Sequence, residues 1–124
     1  MTEYIYEDLS YKIIGACYDV FNYHGYGLRE KAYYIALQDK FEDRGLTFKL
    51  QLYAPIQLEK KKIPQYLDFL IDDKIIVELK VGKVIRQKYF DQIKSYLKTN
   101  NVKLGLLVLF SPIGVKVHRI VNIY

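Results

Sequence analysis

Apolar residues recur along this chain at two spacings, one typical of helices and the other of strands. Segments in which they recur every three to four residues predict helices, here 8–22, 28–44 and 86–99. Short apolar or alternating segments predict strands, here 46–52, 54–59, 65–71, 74–81, 104–110 and 115–122. The resulting order, α-α-β-β-β-β-α-β-β, predicts an α/β fold in which a mixed sheet is flanked by helices.

Length and composition predict one domain spanning residues 1–124. The chain is 51% hydrophobic, which is enough for a substantial core. Its single cysteine, Cys17, excludes an intramolecular disulfide and fits a reducing compartment. The first residues lack a signal-peptide pattern, and the apolar run 106–110 is too short to cross a bilayer. We therefore expect a cytoplasmic protein with no membrane partner.

Positive charge is concentrated in the second part of the chain. Residues 1–50 hold six Lys or Arg and eight Asp or Glu, whereas residues 51–124 hold thirteen and six. A basic surface suits a polyanionic partner such as nucleic acid. Ordinary solubilising lysines would give the same composition, so charge alone favours nucleic acid only slightly.

Two neighbouring predicted strands carry charged residues within otherwise apolar sequence. Glu78 and Lys80 are two residues apart and would project from one face of a strand. Asp68 lies on the preceding strand. Two carboxylates and a lysine brought together could hold a divalent metal beside a cation, which is a chemistry suited to cutting phosphodiesters. The alternative is a sheet with one wet face, on which Glu78 and Lys80 meet only water.

The register of this hairpin decides between the two interpretations. In an antiparallel pair of strands, the residue numbers of any two opposed residues add up to the same total. Asp68 opposes Glu78 only if that total is 146. This register requires a three-residue connection, 72–74, or a bulge. A two-residue connection would place Asp68 opposite Val77, so we predict the three-residue form.

Two predicted helices carry further polar candidates. Glu30 lies three and seven residues before Tyr33 and Leu37, on an apolar stripe where a carboxylate needs a partner or a metal. It could equally be a first-turn glutamate that faces solvent. Gln92 and Tyr96 share one helix face and could orient the lysine or a phosphate, or could be ordinary surface residues.

The segment from Gly27 through Glu30 to Tyr33 resembles the Gly-x-x-Glu-x-x-Tyr signature of the GxxExxY family, which is placed in the PD-(D/E)XK nuclease superfamily. The resemblance covers residues 13–124. It continues through five further segments, in the same order: Gln51, 66–68, 77–80, 92–97 and 104–110.

This resemblance implies a restriction-endonuclease-like α-β-β-β-α-β core with an extra N-terminal helix. It implies catalytic roles for the superfamily's Asp, Glu and Lys, for a helix glutamate and for a RecB-like Gln-x-x-x-Tyr motif. Carried onto this chain, these residues are Asp68, Glu78, Lys80, Glu30, Gln92 and Tyr96. Leu67 stands where the superfamily often has proline, which leaves the chemistry undisturbed.

The expected activity is that of a Mg²⁺- or Mn²⁺-dependent nuclease, with DNA favoured over RNA. Asp68, Glu78 and the Leu79 carbonyl would bind the metal, and Glu30 would bind it directly or through water. Lys80 would position the attacking water or stabilise the transition state. Nearby basic residues would contact the nucleic-acid backbone: Lys83, Arg86 and Lys88, and at greater distance Lys60, Lys61 and Lys62. Clustered carboxylates should also have raised pKa values.

Two alternatives keep the fold without the activity. The chain could be a catalytically silent nucleic-acid-binding module that acts with a partner or as a dimer. It could also be an assembly protein, whose tyrosine-rich N-terminal helix forms a homodimer face.

Overall fold

The computed structural model describes residues 5–123, so residues 1–4 and 124 of the predicted domain lie outside it. The described helices are Glu7–His24 (α1), Glu30–Asp43 (α2) and Gln87–Asn100 (α3). The described strands are Phe48–Tyr53 (β1), Ile56–Gln57 (β2), Lys62–Ile63 (β3), Tyr66–Ile71 (β4), Ile75–Val81 (β5), Leu104–Ser111 (β6) and Gly114–Val121 (β7). No helix between residues 5 and 123 is both long and apolar enough to cross a membrane.

Five strands form one mixed sheet in the order β1-β4-β5-β6-β7, in which only β5 and β6 run parallel. Because α3 connects these two parallel strands, it provides the long crossover that such a pair requires. The order α2-β1-β4-β5-α3-β6 is the expected α-β-β-β-α-β core, preceded by the extra helix α1. The predicted α/β fold class is confirmed.

The segment between β1 and β4 differs from the prediction. A strand was predicted at 54–59, but β2 and β3 are two-residue strands that pair with each other. Their register continues that of β1 and β4, so Pro55 and Pro64 fall opposite each other. Proline has no N–H to donate, so the two prolines interrupt the ladder. Beyond them, β2 and β3 form a small hairpin outside the main sheet.

Helices cover both faces of the sheet, so the alternative of a sheet with one wet face is wrong. On one side α1 and α2 pack on a core that includes Phe41, Phe69 and Phe110. On the other side, Ile93 and Leu97 of α3 pack against the sheet. Gly105 of β6 allows this close approach, because a Cβ there would lie 2.7 Å from Ile93 Cγ2. Glu78 is consequently buried, with 3% of its surface exposed.

Tyr33 fixes the start of α2. Its buried hydroxyl donates a hydrogen bond to the Gly25 carbonyl and accepts one from the Leu28 N–H at 3.1 Å. The loop in between contains Gly27 at φ 124°, a conformation that a residue with a Cβ rarely adopts. These contacts give a physical reason for the spacing of Gly27, Glu30 and Tyr33, because they set where Glu30 begins the helix.

Strand β1 contains a strained residue at its centre. Gln51 has φ 57°, and the register places it opposite Asp68. Phe48 packs with the α1–α2 core whereas Leu52 packs with the α3 core, although residues four apart in a regular strand share one face. The left-handed conformation of Gln51 therefore reverses the side-chain alternation of β1 at the level of Asp68.

We predict that Gln51→Gly is more stable than Gln51→Ala by about 1 kcal/mol, because glycine relieves the left-handed strain that alanine retains. Both variants lose the 3.1 Å hydrogen bond from Gln51 Nε2 to the Tyr34 hydroxyl. The difference between their free energies of unfolding therefore reports the backbone strain alone. Urea unfolding measures it. In an unstrained strand alanine would be the more stable of the two, and that order would contradict the prediction.

Candidate active site

The hairpin of β4 and β5 has the predicted register. The pairs Phe69–Val77, Leu70–Ile76 and Ile71–Ile75 each sum to 146, and a three-residue connection, 72–74, joins the strands. Asp72 and Asp73 both have positive φ in this connection, and the Lys74 N–H donates to the Ile71 carbonyl at 2.8 Å. Aspartate tolerates this conformation better than most residues. The prediction of a three-residue connection is confirmed.

The backbone pairing between β4 and β5 ends where Asp68 meets Glu78. There the Asp68 N–H donates to Glu78 Oε1 at 2.8 Å, and the Leu79 N–H donates to Asp68 Oδ2 at 2.9 Å. Each carboxylate thus binds a backbone amide of the opposite strand. The two crossed hydrogen bonds hold both carboxyl groups in the gap between the strands.

Lys80 completes a compact group with these carboxylates. Its Nζ lies 3.2 Å from Glu78 Oε2 and 4.0 Å from the centre of the Tyr89 ring. Only 21% of its side chain is exposed. Burial acts to lower the pKa of Lys80, but Glu78 and Glu30 raise it above its ordinary value. The lysine therefore remains protonated beside the carboxylates.

Tyr89, in the first turn of α3, is a site residue that the sequence analysis missed. Its ring contacts two lysines: Lys80 Nζ lies 4.0 Å from the ring centre, and Lys88 Nζ lies 5.2 Å from it. Cation–π contacts of this kind hold an ammonium in place without neutralising it. The spacing of Tyr89 from Lys80 gives no signal, because the contact depends on how α3 packs on the sheet.

The two central carboxyl groups are strongly perturbed, as expected for a cluster. The pKa of Glu78 is raised to about 8, chiefly by burial and in addition by Asp68, whereas Lys80 opposes the shift. Burial also raises the pKa of Asp68, against the opposing effects of the Leu79 N–H, of Glu78 and of Lys80. The expectation of raised carboxylate pKa values is confirmed.

Glu30 is the first residue of α2 and interacts electrostatically with Lys80 and Asp68. Desolvation raises its pKa, Asp68 adds to the shift, and Lys80 and the Val81 N–H oppose it. The residue as a whole is exposed, as the solvent-facing interpretation expected, yet its carboxyl lies near the site. Both sequence interpretations of Glu30 were thus partly right.

Gln92 and Tyr96 lie on one face of α3 and are largely buried, so they are not ordinary surface residues. Gln92 Nε2 donates to the Ala54 carbonyl at 2.8 Å, and Tyr96 lines a cleft beside β1. The helix residue that contacts Lys80 in the structure is Tyr89. Orientation of Lys80 by Gln92 and Tyr96, or a phosphate contact for the pair, stays a prediction.

The predicted backbone-contacting residues are exposed and fall into two groups. Lys83, Arg86 and Lys88 lie between the end of β5 and the first turn of α3, close to the site. The segment 60–62 lies at and beside the tip of the β2–β3 hairpin. Their positions are compatible with contacts to a polyanion.

The donor atoms of the site suit a hard divalent cation. Asp68 and Glu78 offer only carboxylate oxygens, which Mg²⁺ and Mn²⁺ prefer, and their raised pKa values reflect mainly burial, a cost to the charged forms that a bound cation would offset. Within residues 5–123, however, no three Asp, Glu, His or Cys side chains form a ready-made metal site. Metal ligation by Glu30, directly or through water, therefore stays a prediction.

We predict that stability falls as the pH rises from about 4.5 to about 8. The ordinary pKa of a glutamate is 4.5, whereas that of Glu78 in the folded protein is about 8. Between these values the folded state keeps a proton that the unfolded state has released, so raising the pH favours unfolding by on the order of a few kcal/mol. The contribution of Glu78 to this slope ends below about 4.5 and above about 8, where the residue carries the same charge in both states.

Urea unfolding across this pH range, without divalent metal, measures the effect. Glu78→Gln mimics the protonated carboxyl and should flatten the profile and be more stable than the wild type at pH 8. The exposed Glu59→Gln serves as the control and should follow the wild-type profile. An unchanged slope in Glu78→Gln would contradict the assignment.

Comparisons with known proteins agree with this geometry. A family model described as the PD-(D/E)XK nuclease superfamily matches residues 7–120. The crystal structure of SSO0001 is similar in fold, with a TM-score of 0.54 and 18% identity over 74% of this chain and 49% of that one. The chain thus spans about half the length of SSO0001. No curated protein matches the sequence. Because the family model covers nearly the whole chain, this protein belongs to the PD-(D/E)XK nuclease superfamily.

Proposed function

We propose that this protein is a nuclease that hydrolyses phosphodiester bonds with Mg²⁺ or Mn²⁺, with DNA as the favoured substrate. The observation that carries the proposal is the convergence of Asp68, Glu78 and Lys80 in one half-buried gap between β4 and β5. Within the superfamily we assign the chain to the GxxExxY branch, on the segment from Gly27 to Tyr33.

Asp68 and Glu78 would hold the metal, with the Leu79 carbonyl and a water on Glu30 as further ligands. The chemistry that such an ion supplies when bound is polarisation of a phosphoryl oxygen and acidification of a water. The crossed hydrogen bonds keep both carboxylates in place before any ligand arrives. Little reorganisation is then needed, which is the usual basis of electrostatic catalysis.

Lys80 supplies a fixed positive charge at the reacting phosphate. Its ammonium is held between Glu78 and the Tyr89 ring and stays protonated. From this position it would orient the attacking water or stabilise the negative charge that develops on the phosphoryl oxygens. Lys83, Arg86 and Lys88 would bind the phosphates on either side of the cut, and Gln92 and Tyr96 would contact phosphate farther along α3.

Lys80→Ala and Asp68→Asn should each lower the rate of DNA cleavage in Mn²⁺ by roughly 100-fold or more, because each removes a group that acts on the reacting phosphate. Cleavage of a fluorescent DNA measures the rate. The matched control is Lys103→Ala, which removes an exposed lysine just before β6, at the level of Ile75 and at the opposite end of β5 from Lys80. Lys80→Ala cleaving as fast as Lys103→Ala would rule out the assigned role.

Mn²⁺ should raise the melting temperature of the wild type, because a ligand that binds only the folded state stabilises it. At a concentration 100 times its dissociation constant, this linkage is worth about 2.7 kcal/mol. Asp68→Asn and Glu78→Gln should lose most of the effect, whereas the exposed Asp39→Asn on α2 should keep it. Equal shifts in all four proteins would place the ion elsewhere.

A catalytically silent binding or assembly module is the second candidate. The observation that favours it is a set of exposed tyrosines on α1, with Tyr11 79% and Tyr23 83% exposed, which could form a homodimer face. The complete Asp-Glu-Lys set argues for catalysis. Binding to nucleic acid without cleavage in Mg²⁺ or Mn²⁺ would favour the binding module, and absence of both would favour the assembly role.

A further inference from the structure

A cleft runs along α3 on the side that faces the β2–β3 hairpin. Its larger part, about 520 Å³, is lined by Tyr96 and Thr99 of the helix and by Tyr53 and Lys62 of the hairpin side. A second part of about 310 Å³ is lined by Lys88 and Asp91. The two parts share Pro55, Gln57, Gln92 and Ser95 and therefore form one continuous groove.

This groove, here called the α3 cleft, begins close to the candidate active site, although Asp68, Glu78 and Lys80 do not line it. Lys88 lines its narrower part and contacts the same Tyr89 ring that holds Lys80. From Lys88 to Asn100 the lining residues follow one side of the helix for about 18 Å, at 1.5 Å per residue. A chain that leaves the reacting position can therefore continue directly into the cleft.

An exposed aromatic pair stands at the end of β1 and the start of β4. One of its members, Tyr53, lines the larger part of the α3 cleft, and the other, Tyr66, lies next to it outside the lining. Tyr53 and Tyr66 are cross-strand neighbours on β1 and β4, with ring centres 5.7 Å apart and planes inclined at 65°. They are 56% and 49% exposed, so their rings are not used to build the core. Tyr66 is also only two residues from Asp68, which places the pair beside the carboxylates.

The polar lining suits the backbone of a nucleic acid. Lys62 and Lys88 lie at opposite parts of the cleft, and among the described residues Asp91 is the only acidic one that lines either part. Ser95 offers a hydroxyl between them. Lysines that follow a backbone, combined with exposed aromatic rings, are the pattern of single-strand binding sites.

The aromatic pair favours an unpaired strand over a duplex. In a duplex the bases stack on each other and only edges and phosphates are accessible from outside, so tyrosine faces have nothing to stack on. An unpaired base exposes its face and gains stacking energy on an aromatic ring. Phosphate contacts alone would accept either form.

We propose that the α3 cleft binds an unpaired nucleic-acid strand, with bases stacked on Tyr53 and Tyr66 and phosphates on Lys62 and Lys88. The inference rests on the proposed function, because this strand is the one that the Asp68 site would cut. The protein then acts on single-stranded regions or frayed ends rather than on intact duplex.

Fluorescence anisotropy in EDTA tests this without cleavage, using a labelled oligodeoxythymidylate, an oligouridylate and a DNA duplex. The wild type should bind a single strand more tightly than the duplex, and the two single strands show whether DNA or RNA is preferred. The double variant Tyr53→Leu/Tyr66→Leu keeps apolar bulk across the strand pair but loses the aromatic faces. Its single-strand affinity should fall roughly ten-fold or more.

Three further double variants make the result specific. Tyr53→Phe/Tyr66→Phe keeps stacking and should bind like the wild type, as should Tyr11→Ala/Tyr23→Ala on α1. Lys62→Ala/Lys88→Ala should weaken binding and reduce its salt dependence. Wild-type affinity in the Leu variant, or a duplex bound as tightly as the single strands, would overturn the inference.

Failure of this inference is distinguishable from failure of the proposed function. Single-strand binding that depends on both tyrosines, without cleavage in Mn²⁺, would support strand binding in the cleft and contradict the proposed nuclease activity. Cleavage that depends on Lys80 but is unchanged in the Leu variant supports the nuclease and removes the cleft.

Discussion

The candidate site depends on two crossed hydrogen bonds, which the Asp68 and Glu78 carboxyl groups accept from backbone amides of the opposite strand. A buried backbone N–H needs a partner, and in a regular hairpin the partner would be a carbonyl of the opposite strand. Here carboxylates accept from the Asp68 and Leu79 N–H groups instead, so the strands can part without leaving either donor unsatisfied. The same two side chains therefore open the gap and occupy it.

This arrangement constrains how the site can change. Removing either carboxylate leaves a buried amide without an acceptor, at a cost of about 1–3 kcal/mol. Asparagine and glutamine keep an acceptor oxygen, so they change the charge while preserving the opening between the strands. The strain at Gln51 lies at the same level, opposite Asp68, so the sheet departs from regular geometry on both sides of one residue. The two apolar cores stabilise the fold around these local costs.

Much of this geometry could be predicted from the sequence, for identifiable reasons. The helices and strands followed from periodicity, and the register at Asp68 followed from a simple condition on residue numbers. The alternative of a wet sheet face was wrong, because the alternation of apolar and polar residues cannot show whether a helix later in the chain covers the sheet. The contact of Tyr89 with Lys80 and that of Gln92 with Ala54 depend on how α3 packs on the sheet, which periodicity does not encode. The β2–β3 hairpin could not be predicted until the register placed Pro55 opposite Pro64.

The placement of α3 links the chemistry to the binding surface. Gly105 lets the helix lie close to β6, and this packing sets the position of its first turn relative to β5. Through Tyr89, that turn holds Lys80 at the carboxylates and Lys88 at the entrance to the α3 cleft. Because both lysines contact the same ring, the proposed reacting group and the proposed strand-binding groove keep a fixed relation. Misplacement of a reacting group by about 1 Å can cost 100-fold in rate. Contact with one ring on a helix therefore positions both lysines more precisely than residues on a loop would be positioned.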